Sequence, residues 1–97
     1  MKELCQQISD KFDSLRFFEA QKQVHSMAIF DSLLCQKGDQ IEVIKWMCHK
    51  GPTVIKINNK ETCIPFGWVK EMGAPEELSI YMPFPGKTWK EIIDDWK

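Results

Sequence analysis

Lys37-Gly38-Asp39-Gln40-Ile41-Glu42-Val43-Ile44-Lys45-Trp46 decides the fold. Lys37-Gly38-Asp39 forms a turn, and the run from Ile41 to Trp46 is rich in β-branched and aromatic residues, so a strand leaves that turn. Gly51-Pro52 breaks the chain, and Thr53-Val54-Ile55-Lys56-Ile57 supplies a second β run. Asn58-Asn59-Lys60 comes next, and asparagine tolerates the positive φ that a tight hairpin requires. Glu61-Thr62-Cys63-Ile64 returns as a third strand, which Pro65 ends because proline cannot donate to a ladder. Phe66 to Met72 reads as a short turn and a last strand before Gly73.

Towards the N-terminus, Leu4, Ile8, Phe12 and Leu15 recur with helical period, which predicts an amphipathic helix over 1–15. Alone it is too short to be stable, so its apolar stripe must lie on the rest of the domain or on a partner. Between Arg16 and Leu34 the pattern stays open. Phe17, Ala20, Val24, Met27 and Leu34 fit one helix face, while Val24, Ser26, Ala28 and Phe30 alternate with His25, Met27 and Ile29 as in a strand.

Beyond Gly73-Ala74-Pro75 come a short apolar run, Leu78 to Met82, and the segment Pro83-Phe84-Pro85-Gly86. Thr88 is placed to cap a helix, with Glu91 three residues on, and Trp89, Ile92, Ile93 and Trp96 share one face of it. The expected organisation is one domain over 1–97: a helix over 1–15, a β unit over 16–72, and an extension over 73–97 that ends in a short helix.

Composition agrees with a single folded unit. The 97 residues are 43% hydrophobic and 28% charged, well inside the globular range. A formal net charge of -1 gives no strong electrostatic signal for nucleic acid. No apolar run is long enough for a membrane span, and Met1 to Gln7 lacks the apolar centre of a signal peptide, so a cytoplasmic protein is expected. In that reducing setting Cys5, Cys35, Cys48 and Cys63 are expected as free thiols.

Closely spaced β runs joined by short turns, too few for a sandwich, suggest a small barrel. The order Leu33 to Ile44, Thr53 to Ile57, then Glu61-Thr62-Cys63-Ile64-Pro65-Phe66-Gly67-Trp68-Val69 resembles an SH3 domain. Lys-Gly-Asp before an Ile-x-Val-Ile strand resembles the family's exit from its RT loop, and Ile-Pro-x-x-aromatic-Val its entry into the last strand. With a helix ahead of it, the chain is similar to the helically extended SH3 variant of T-cell adaptor proteins. The resemblance implies a mainly β fold: a small SH3-like five-stranded barrel with flanking N-terminal and C-terminal amphipathic helices. It implies a non-catalytic adaptor, scaffold or inhibitor that binds another protein or peptide.

The same resemblance singles out Pro65 and Trp68 as groove residues for an extended peptide, and Phe30 as an RT-loop aromatic if Ala28-Ile29-Phe30-Asp31 matches the family pattern. Two departures make the groove degenerate. Gly51-Pro52-Thr53-Val54 has no aromatic where the family's binding tryptophan stands, and Gln21 to Ser32 contains a single acid, Asp31. From the residues themselves, Trp89 and Trp96 form an aromatic partner face if the last helix stands free, and seal an end of the barrel if it packs back. Pro83-Phe84-Pro85 is a candidate internal ligand for the Trp68 groove.

The sequence offers no nucleophile motif and no phosphate-binding loop, and Cys35, Cys48, His49 and Cys63 lack paired ligand spacing. Neither catalysis, a metal nor a cofactor is therefore expected. The rival expectation is a winged-helix, nucleic-acid-binding transcription regulator, which requires helix through Arg16 to Leu34 and again over 41–48.

Overall fold

The computed structural model describes residues 2–25, 33–47 and 52–95. The chain opens with helix α1 (Lys2–Leu15), followed by three short strands, β1 (Phe17–Glu19), β2 (Val24–His25) and β3 (Leu33–Cys35). Three longer strands form a meander, β4 (Gln40–Trp46), β5 (Pro52–Ile57) and β6 (Lys60–Pro65). Helix α2 (Phe66–Glu71), a 3-10 turn (Glu76–Ile80) and helix α3 (Trp89–Asp94) complete it.

The strands are antiparallel and lie in two sheets, one ordered β1-β4-β5-β6 and the other pairing β2 with β3. Turn chemistry sets the meander. Asn58 and Asn59 at φ 51 and 72 make the two-residue hairpin between β5 and β6, and Gly38 at φ 95 opens the turn into β4. Asp39 holds that turn by accepting the Gln36 N–H at 2.8 Å. Ile41, Val43, Ile55 and Ile64 form the buried face of the sheet. Register slips between Val43 and Lys45, so Ile44 is the extra residue of a bulge.

The expected strand over 66–72 is a helix. Pro65, at φ -56 and ψ 140, leads straight into α2, and the buried pair Val69 and Met72 stands three residues apart, the spacing of a helix face. This change decides closure. Where a fifth strand would have run along the first, the link is one hydrogen bond, Gln21 N–H to the Met72 carbonyl at 2.7 Å. Among the described residues there is no closed barrel, and helix is as prominent as strand. The mainly β, five-stranded expectation is corrected to a small mixed domain built on antiparallel sheets.

The open stretch from Arg16 to Leu34 contains β1, β2 and the start of β3 among its described residues. The winged-helix arrangement fails on β4, because Gln40–Trp46 is a strand paired on both sides. The run Leu78 to Met82 is mostly 3-10 turn, with Leu78 buried.

Both flanking helices belong to the core. Phe12 of α1 is buried, with Ile8 and Leu15 packed beside it, and α1 lies against α3. Thr88 caps α3 as its spacing predicts, its Oγ1 accepting the Glu91 N–H at 3.3 Å. Arg16 fastens α1 to the sheet: Nε reaches Asp13 at 3.0 Å and a terminal nitrogen reaches Glu42 at 2.8 Å. None of the described helices is long and apolar enough to cross a membrane.

Candidate functional site

The end of the sheet where β4 stops and β5 begins carries a group of apolar side chains. Trp46 faces Thr53 across the β4–β5 pair, and Pro52 stands opposite Pro65 across β5–β6. Pro52 and Pro65 are exposed, and Met47 retains 52% of its surface in water. Pro65 sits where proline is tolerated, at the last position of an edge strand.

Helix α2 begins at this point and adds two side chains. The Phe66 ring meets Trp46 edge-on at 6.1 Å between centroids, with an interplanar angle of 86°. One helical turn later, Lys70 places its Nζ 5.6 Å from the centre of the Phe66 ring. Lys70, Phe66 and Trp46 therefore form a continuous row from α2 onto the sheet. Beside that row Gly67 is open to solvent, and a Cβ built there meets no atom within 4 Å.

The residues named from sequence have different fates. Pro65 lies at this end of the sheet, paired with Pro52 on the face opposite Thr53 and Ile64, and leads into α2. Trp68 is half-buried on α2 and packs against the core beside it. Of the two places open to Trp89, the structure has the packed one: it is only 8% exposed, and its indole N–H donates to the Tyr81 carbonyl at 2.8 Å. The last helix packs back, because α1 brings Phe12 and Ile8 to the same core. Phe30 and Trp96 lie outside the described residues, as do Cys48 and His49.

The Pro83-Phe84-Pro85 segment docks at the end of β4. Gly86 N–H donates to the Trp46 carbonyl at 2.8 Å, Pro83 is fully buried, and the Phe84 ring leans on Trp89 at 6.3 Å. It thus borders the apolar end of the sheet, with Phe84 63% exposed. From sequence, Trp46 counts among four tryptophans of a type enriched at interfaces and Lys70 as a rim charge, whereas Phe66 escaped the reading. The available signal was the four-residue spacing of Phe66 and Lys70, which has meaning only on a helix.

A second concavity, about 520 Å³, lies between α1, α3 and the bulge of β4. Phe12, Trp89, Ile44 and Ile93 give it apolar walls, while Arg16 and Asp13 on its rim already pair with each other. Among the described residues no three His, Cys, Asp or Glu side chains converge in a way that could hold a metal ion. Burial pushes the Cys35 thiol up from its ordinary range, which opposes nucleophilic use of that sulfur. No protein-family model, no curated protein and no solved structure matches this chain.

Proposed function

We propose that this chain is a non-catalytic protein–protein interaction module, an SH3-like adaptor, scaffold or inhibitor whose partner lies across the Trp46, Phe66 and Pro65 end of the sheet. The observation that carries the reading is the Trp46–Phe66 contact at the end of the sheet, where Pro65 leads directly into α2. Flat rings and proline rings are complementary to an extended polyproline II segment, which loses little conformational entropy on docking. The chain order supports the same reading: a first strand, an excursion through β2 and β3, a three-stranded meander with a tight hairpin, then a short helix whose following residue, Met72, accepts from Gln21 N–H just beyond β1.

The groove is degenerate, as the sequence implies. Pro52 and Thr53 occupy the place of the family's binding tryptophan, so the aromatic platform is Trp46 and Phe66 instead. Titration with proline-rich peptides, followed by tryptophan fluorescence, tests the reading. Met47→Ala and Phe66→Ala should each weaken binding, Phe66→Ala by about tenfold. Lys90→Ala, on the rim of the α1–α3 concavity, should leave it unchanged. Equal binding by all variants with native circular dichroism would place the partner elsewhere.

A further inference from the structure

We propose that the concavity between α1, α3 and the β4 bulge binds a small, uncharged aromatic molecule carrying a hydroxyl or amide group, with Ser9 as its hydrogen-bond partner. This site is separate from the Trp46 and Phe66 row and does not depend on it.

Its size and walls suit such a ligand. A volume of about 520 Å³ lies within the range of small-molecule sites, and Phe12, Trp89, Ile44 and Ile93 supply rings and branched chains around it. Ser9, Phe12 and Asp13 stand three and four residues apart on α1, so one face of that helix turns towards the space. From the sheet comes Ile44, the extra residue of the β4 bulge, and bulges re-aim a side chain in this way beside functional sites.

Ser9 is the polar group that marks the site. Among the described residues the buried polar side chains are Ser9 and Thr53, and of the two Ser9 lines the concavity, at 8% exposed. Its hydroxyl makes no hydrogen bond among the described residues. Ser14, exposed on the same helix, does bond, donating to the Lys11 carbonyl at 2.7 Å. A desolvated hydroxyl with both a donor and an acceptor to offer is therefore left for a ligand at this wall.

The rim argues for a neutral ligand. Arg16 and Lys90 stand there against Asp13 and Asp94, so the charges balance. Arg16 is moreover held by Asp13 and Glu42 at 3.0 and 2.8 Å. An ionic ligand would meet no net attraction and would compete with pairs already made.

The test is an amide-shift titration of the full chain with para-cresol, toluene, the para-toluate anion and the para-methylbenzylammonium cation. Para-cresol should shift Ser9, Ile44 and Ile93 and bind about fivefold tighter than toluene, with both ions weaker than para-cresol. Ser9→Ala, with native circular dichroism, should abolish the preference for para-cresol over toluene, and Ile93→Ala should weaken both. Equal binding of para-cresol and toluene, or a preference retained in Ser9→Ala, would overturn the role of Ser9. Tighter binding of either ion would overturn the choice of a neutral ligand. Larger shifts at these three residues with a proline-rich peptide than with para-cresol would overturn the choice of a small molecule. Absence of shifts there with every probe would overturn the site itself.

Discussion

Gln21 and Met72 close the fold with one hydrogen bond, 2.7 Å from the Gln21 N–H to the Met72 carbonyl, in place of a fifth strand. The next residue makes the closure depend on glycine. Gly73 has φ +112, and a Cβ there would lie 2.4 Å from Gln21 Cγ. Both the left-handed backbone and the close approach exclude a side chain. Gly73→Ala should destabilise the domain by about 1–3 kcal/mol, measured by urea denaturation. An unchanged midpoint would mean that this junction contributes little.

Thr53 has the opposite defect. It is fully buried between Trp46 and Ile64 in the register, and its Oγ1 has no hydrogen-bond partner among the described residues. Replacing the hydroxyl by a methyl group removes a desolvation penalty while keeping the shape and the β-branched fit to a strand. Thr53→Val should stabilise by about 1 kcal/mol and raise Tm by about 4–8 °C. A fall in Tm would show that the hydroxyl is satisfied in solution.

The cysteines should separate by reactivity. Cys63 projects from edge strand β6 and is exposed, Cys5 is half-buried, and Cys35 is buried with its Sγ 3.6 Å from the Lys22 carbonyl. Desolvation by burial raises the Cys35 thiol further out of its reactive range. Alkylation with iodoacetamide followed by peptide mapping should modify Cys63 before Cys5, and Cys35 only when the chain unfolds. Early labelling of Cys35 would contradict the packing of β3 on β2.

Asp39 sets an acid limb. The Gln36 N–H, and then the Asn58 side chain, hold its carboxyl below the usual carboxylate range. A group depressed on folding contributes fully above its unfolded pKa, and the contribution disappears as pH falls through the folded value. The native chain should therefore lose stability through this group on acidification below the ordinary carboxylate range. Asp39→Asn should lose less between pH 7 and pH 3 than the parent does, measured as the shift in urea midpoint. An equal loss in both would show that the Asp39 turn does not couple to global stability.

What could be read in the sequence was what local chemistry determines. The meander followed from β-branched runs separated by Gly38 and Asn58-Asn59, and α3 from the spacing of Thr88 and Glu91. The stretch from Phe66 to Glu71 was misread because six residues hold less than two helical turns, too short for apolar periodicity to separate helix from strand. That misreading hid the candidate site. Trp46 and Phe66 meet only because α2 turns back over the end of β4, a tertiary contact between residues twenty apart. The place of Trp89 was open for a related reason: its face is apolar whether it seals a core or waits for a partner, and the packing of α1 decides between them.

The central claim is that a partner peptide lies on the Trp46 and Phe66 row. Amide and indole chemical-shift mapping during titration with a proline-rich peptide tests it most directly. The account predicts saturable shifts confined to Trp46, Met47, Phe66, Gly67 and Lys70. Shifts confined instead to Ser9, Phe12, Trp89 and Ile93 would move the binding surface to the concavity between α1 and α3 and contradict the account.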